Sequence, residues 1–274
     1  MARRPLALLL CMAAILACSA CSSRARSEPL KFGVRPFART GPVDGYWQTP
    51  RGGAPGSSSA RRPTFKEAGI TNSQEYGLDA HVDWGHHRLK IGASRQVLAG
   101  DATLTEDLTS QATFFPAGTA IDTDSAVDWL QAHYQYRVDV PMGRCDCLKL
   151  WPGVGYKWAS LHHVFEGDTG GRVSRHHAPG MPNVLLDWEW RPRSRGHLRF
   201  SGSAAAAITT GDEPRRNQVI EVLGRAHYDF GNRGGLFLET GYRDVVLRDD
   251  QPRLQNHLNL DFGPWIGLGG EVRF

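Results

Sequence analysis

Beyond its first 20 or so residues, the 274-residue chain has no apolar run of the roughly 18–20 residues that a membrane helix requires. Helical spans are excluded, but strands are not: a barrel strand needs only ~9–11 residues and hides its polar half in the lumen. An excess of one charge sign is also missing. The 32 Lys and Arg face 28 Asp and Glu, for a formal net charge of +4. That basicity is too diffuse for nucleic acid, and it suits acidic lipid head groups. No internal repeat of fixed period is present. Cysteine is scarce, with five in all. Cys11 and either Cys18 or Cys21 fall in the targeting region, which leaves Cys145 and Cys147 as a C-x-C. Two sulfurs are not a metal site. A local disulfide needs a turn, because i,i+2 cysteines on a strand sit in unfavourable geometry. Free thiols are the other reading.

What is present begins with an export signal. Arg3 and Arg4 form a positive start, and Pro5 to Ala17 a short apolar segment. The stretch Ile15-Leu16-Ala17-Cys18-Ser19 resembles a bacterial lipobox. That resemblance implies a signal peptide over residues 1–17 and a lipidated Cys18. Ser19-Ala20-Cys21 offers a second frame, and ordinary cleavage near Ala20 is the alternative. Residues 18–74 read as a flexible periplasmic linker or a short docking segment. Arg24 to Arg39 mixes charge with few apolar residues, and residues 52–59 are rich in Gly and Ser. Tyr46-Trp47 and Pro63-Thr64-Phe65 are the docking candidates, on a surface or inside a lumen.

From Tyr76 onward the pattern alternates. Tyr76, Leu78, Ala80, Val82 and Trp84 oppose Asp79, His81 and Asp83. A strand shows successive residues to opposite faces, so such a segment is greasy on one side and ionic on the other. Similar segments recur at Leu89–Ser94, Leu130–Val140, Leu148–Trp158, Val184–Arg191, Val222–Phe230 and Leu236–Arg243, with a small-residue strand at Leu198–Ala206 and a weaker one at Leu108–Phe115. The last runs to Phe274, with Ile266, Leu268, Gly270, Val272 and Phe274 on one face and Trp265, Gly267, Gly269, Glu271 and Arg273 on the other.

A terminal aromatic on an alternating strand resembles the C-terminal assembly signal of small bacterial outer-membrane β-barrel proteins. The resemblance implies an all-β fold: a closed antiparallel transmembrane barrel over residues 75–274, with about ten strands and eight as the alternative. It implies location in the outer membrane, contact with outer-membrane lipids, and assembly through Ile266, Leu268, Val272 and Phe274. The chain reads as a monomer without cofactor or nucleic-acid partner. With a periplasmic N-terminus, the links after Trp158, Ile208 and Val246 fall outside and are the longer ones. The short Gly85-His86 turn is then an exception on the outer side. Tyr76, Tyr134, Tyr136, Trp188, Trp190, Tyr228, Phe230 and Phe274 map to the periplasmic rim, as one aromatic girdle.

The inward face carries both charge signs, among them Lys90, Arg137, Lys157, Asp187, Glu221, Arg225, Glu239, Arg243 and Glu271. Confined opposite charges should pair, since an unpaired buried charge costs several kcal/mol. A plug of ion pairs is the first reading and a narrow polar pore the second. The mixed lining supports no ion selectivity. Three His-His pairs, His86-His87, His162-His163 and His176-His177, map to the extracellular rim. They are candidate metal ligands without a defining spacing. Ser160 shares a face with His162 near the outer rim, which makes the pair a candidate catalytic dyad without a third group or an oxyanion hole. The role expected is structural or surface-interacting, with small-solute passage as a variant. The alternatives are a barrel enzyme that modifies lipid A or phospholipid, and a soluble periplasmic lipocalin-like lipoprotein that binds an apolar ligand.

Overall fold

The computed structural model describes residues 29–48, 64–110, 113–142, 146–192, 196–209, 217–231, 233–251 and 254–274. The export signal, Cys18 and Cys145 lie outside the described residues. Ten strands form one closed wall: β1 (Lys31–Gln48), β2 (Asn72–Trp84), β3 (His87–Thr103), β4 (Ala120–Tyr136), β5 (Asp146–Gly167), β6 (Gly180–Trp190), β7 (Leu198–Ile208), β8 (Asn217–Asp229), β9 (Gly234–Gln251) and β10 (Leu254–Arg273). Each pairs antiparallel with the next. β1 closes the ring by bonding to both β2 and β10. No barrel strand keeps an open edge, and backbone groups at membrane depth are satisfied within the wall.

The count of ten matches the sequence expectation, but its membership differs at two places. Lys31–Gln48, expected within the linker of residues 18–74, is a full strand of the wall. The barrel therefore begins at Lys31 rather than at residue 75. Conversely, Leu108–Ser110 and Thr113–Phe115 pair only with each other, as a small separate hairpin. β1 is disguised by Pro36 and Pro42, which usually argue against a strand interior. Here the β1–β10 ladder is interrupted between Val34 and Phe37, where Pro36 has no N–H to give. Gly33 serves a different purpose: a Cβ there would stand 2.2 Å from the His81 ring and would force it to move.

β1 also reverses the expected orientation of the next hairpin. Lys31 and Phe274 lie at the same end of the barrel, joined by Phe274 N–H donating to the Phe32 carbonyl at 3.0 Å. The turn at Gly85-His86 falls at this end, together with the links at 191–197 and 230–233. The links at 49–71, 104–119 and 168–179 fall at the other. The short first hairpin is thus no exception. His86 and His87 belong to the short-turn end, opposite His162, His163 and His176, so the three His pairs do not share a rim.

The wall has two storeys. In the short-turn half, apolar side chains face outward: Ile266 is 71% exposed and Leu268 65%, against 3% for both Glu239 and Glu271. A contiguous apolar belt of this kind is an aggregation hazard in water and is at home in hydrocarbon. Phe32, Trp84, Tyr134, Tyr228, Phe230 and Phe274 rim its lower edge. Tyr76, expected on that rim, sits in register with Arg95 near the opposite edge, because β2 runs downward from its start. Tyr242 and Trp158 join it there. In the long-loop half the polarity inverts. Val43, Trp47, Phe65, Leu98, Val127, Val245 and Leu260 pack inside as an apolar core, while Asp44, Asp122, Asp124 and Asp128 are exposed.

On β10 the inversion has a local device. Leu258, Leu260 and Phe262 point inward, and then so do Trp265, Gly267, Gly269 and Glu271. An extra residue on β10 between Phe262 and Ile266 shifts the parity, and it appears as a register shift against both β9 and β1. Trp47 and Phe65, whose ring centroids are 5.0 Å apart, fill the upper lumen.

Candidate functional site

The lumen of the short-turn half is an ionic interior built by the inward residue of every second position. At mid-height, four cations meet four carboxylates. Arg243 binds Glu75 at 3.0 Å and Glu221 at 3.0 Å, and Lys157 binds Glu221 at 2.8 Å. Arg39 binds Glu239 at 3.0 Å, Arg225 binds Glu239 at 2.7 Å, and Arg225 reaches Asp79 at 3.6 Å. The layer is charge-balanced. The void left between these side chains is about 20 Å3, room for about one water. Two indoles cap the layer from above. Arg243 lies 4.9 Å over Trp129 and Arg39 5.0 Å over Trp265, so cation–π contact joins the ionic layer to the apolar core.

A second layer lies nearer the short-turn end. Glu271 takes Arg35 at 2.9 Å and Arg273 at 3.1 Å, and it also pairs with Arg199. Asp229 takes Arg191 at 2.9 Å and Arg199 at 3.3 Å. Asp83 is held by Arg88 through two bonds of 2.6 and 2.7 Å, and Lys90 pairs with Asp187 at 3.1 Å. Below this layer the lumen opens into a vestibule of about 860 Å3.

Pairing of the lumen charges follows from the sequence pattern, but several central members do not. Arg35 and Arg39 lay within the expected linker. Glu75 preceded the first expected strand, and Arg199 sat in a strand read only for its small residues. Their signal was available: Lys31, Arg35 and Arg39 recur at even spacing, with Val34, Pro36 and Ala38 between them.

The outer wall holds the candidate dyad, with a changed partner. Ser160 Oγ lies 2.9 Å from His176 Nε2, across the pairing of β5 with the short strand Arg172–His177. The expected partner, His162, stands opposite His176 in that pairing. Asp128 is in register with Ser160, yet among the described residues no carboxylate bonds to His176. A hydroxyl beside an imidazole at the upper belt edge thus lacks the group that would orient the base.

Three other histidines of the expected pairs are engaged by the protein. His87 Nδ1 lies 2.6 Å from the Tyr134 hydroxyl, and His86 stacks on Tyr136. His163 is buried against the Ser125 hydroxyl and the Trp47 ring. Among the described residues no group of three or more His, Cys, Asp or Glu is arranged to hold a metal ion. The C-terminal strand exposes Ile266, Leu268, Val272 and Phe274 along one outer face.

No protein-family model and no curated protein matches the chain. Solved structures do. The outer membrane protease OmpT from Escherichia coli is 11% identical, with a TM-score of 0.49 over 92% of this chain and 99% of that one. Ail, the attachment invasion locus protein of Yersinia pestis, is 9% identical, with a TM-score of 0.36 over 90% of this chain and 99% of its own. The outer membrane protein OprG from Pseudomonas aeruginosa is 11% identical, with a TM-score of 0.35 over 89% and 95%. These are bacterial barrels, while the closed ten-strand antiparallel wall of this chain is read from its own strand pairings. Their roles differ, and none is carried over at such identities.

Proposed function

We propose that this chain is an outer-membrane barrel whose lumen is sealed and whose role lies at its extracellular surface. The observation that carries this reading is the double closure. A balanced ionic layer fills mid-height, and an apolar core fills the lumen above it. Solute passage would require displacing both. The apolar belt supports a bilayer position for the short-turn half, and the class rule of short periplasmic turns supports an outward long-loop half.

That outer half supports a surface role by its stiffness. β5 spans 22 residues and β10 spans 20, about twice what a membrane crossing uses. Among the described residues, their extra length belongs to a packed extension with its own core. The test is planar-bilayer conductance of the purified, folded protein. Electrical silence across salts and voltages is expected. Stepwise single-channel currents would overturn the sealed-lumen reading.

One geometric feature favours a second reading, a lipid-modifying enzyme: the Ser160–His176 hydrogen bond at the belt edge, where acyl esters lie. The missing orienting carboxylate weighs against it.

A further inference from the structure

The short-turn mouth of the barrel is charged very differently from its centre. Among the described residues, nine Lys and Arg side chains line the vestibule, against three side-chain carboxylates, Asp83, Glu189 and Glu271. Those three are already engaged by Arg88, Arg199 and Arg35. Two neighbouring carboxylates, Asp139 and Asp229, take up Arg137, Arg191 and Arg273. Among the described residues no carboxylate lies within 4 Å of Lys31, Lys149 or Arg233, and all three line the cavity. Trp151, 2% exposed, also lines it, and its indole N–H has no hydrogen-bond partner.

A concave, low-dielectric wall with an excess of one sign concentrates its field in the cavity. Here the field is positive, the volume is about 860 Å3, and unused donors remain. Ligand cavities of ~300–1,000 Å3 hold solutes of several hundred daltons. The cavity is a dead end, since the balanced ionic layer closes it from above. From these features we infer that the short-turn vestibule is a binding site for a soluble, multiply charged oxyanion, of the polyphosphate or phosphorylated-solute class. Arginine forks in the wall suit bidentate phosphate contacts, Lys31 and Arg233 supply uncommitted charge, and Lys149, which shares its cross-strand neighbour Glu189 with Arg199, adds a third ammonium. The inference does not depend on the surface role, which concerns the opposite end of the barrel.

The test is calorimetric titration of the folded full chain, in neutral detergent, with sodium tripolyphosphate. Saturable binding to one site is expected, weakening as salt rises. The variant Lys31→Gln/Lys149→Gln/Arg233→Gln should weaken it by about tenfold or more. None of those three side chains holds an ion pair in the wall, and heat-modifiable migration on a gel verifies that the variant folds. Lys149→Gln alone should give a smaller loss of the same sign. Lys66→Gln, at the far end, should leave affinity unchanged. Absent binding to the wild type, or equal binding to the triple variant, overturns the proposal. Displacement of tripolyphosphate by short-chain phosphatidylglycerol at lower concentrations than inorganic phosphate requires overturns the soluble-ligand assignment in favour of a lipid head group. Short-chain phosphatidylcholine should displace nothing.

Discussion

Arg243 Nη1 lies 3.0 Å from Glu75 Oε2, although their strands, β9 and β2, are separated in the wall by β10 and β1. The pair bridges over β10 and β1 inside the lumen, so it ties together the two strands that flank the closure of the ring. Glu75 accepts from both terminal nitrogens of Arg243, and Glu221 accepts from Nε at 3.0 Å. Removing the guanidinium takes one partner from each of two buried carboxylates, leaving Glu75 with Arg39 at 3.5 Å and Glu221 with Lys157 at 2.8 Å. Breaking one partner of a buried pair costs about 3–5 kcal/mol. Arg243→Met should therefore lower the temperature at which the folded gel band converts to the unfolded one. Arg243→Met/Glu75→Gln should cost less than the sum of its single variants, because the neutral amide no longer needs a cation. Additive losses would show that the two residues are not coupled.

A second expectation concerns β1. If Lys31–Gln48 is a wall strand, its outward residues differ by depth. Ala38 is in register with Leu268, within the belt, whereas Asp44 is in register with Asp261 above it. A charged side chain on the lipid face costs about 2–4 kcal/mol at the bilayer midplane and about 0–1 near the interface. Ala38→Arg should destabilise the folded barrel in lipid vesicles, and Asp44→Arg should be nearly neutral. Equal tolerance at both positions would return the segment to a tether.

These two cases show what the sequence made legible. Where the inward face is ionic and the outward face greasy, as at Leu236–Arg243, period-two alternation is plain and the orientation can be read directly. β1 hides because its outward residues include Pro36, Ala38 and Pro42, which carry little hydropathy. The upper storey hides because its polarity inverts. Val245 and Leu247 face inward on the same strand on which Leu236 and Leu238 face outward. A single hydropathy rule cannot span both halves of that strand. The ionic layer was foreseeable as charge that must pair, while the partners across the lumen depend on closure and therefore on β1. The dyad partner of Ser160 was hidden for a similar reason. His176 reaches it through a short strand that folds back on β5, and sequence proximity pointed to His162 instead.

The outer-wall hydroxyl gives a third expectation. Ser160 and His176 form a hydrogen bond, but a serine nucleophile also needs an oriented base and donors for an oxyanion. Without them, Ser160→Ala and His176→Ala should leave lipid A and phospholipid acylation unchanged in outer membranes carrying the protein, measured by mass spectrometry of extracted lipids. An acylation change caused by the protein and lost in both variants would establish the enzyme reading.

The last expectation follows from the charge on the long-loop half. Asp101, Asp122, Asp124, Asp128, Glu166 and Asp168 are exposed on β3, β4, β5 and the link just after β5, where Arg95 pairs with Asp128 and Arg172 with Glu166. Further round, Asp44, Asp261 and Asp244 stand side by side on β1, β10 and β9. Such a surface attracts cationic partners through a field that salt screens over ~8–10 Å. A fluorescent oligolysine should bind vesicles containing the barrel, oriented with the long loops outward, more tightly than it binds empty vesicles. Asp122→Asn/Asp124→Asn/Asp128→Asn should weaken that binding. Because the three carboxylates lie outside the lumen, the fold should be unaffected and the folded gel band should convert at the same temperature as in the wild type. The steepness of the salt dependence should fall with the charges removed. Binding that ignores both the substitutions and the salt would sever the acidic wall from any surface role.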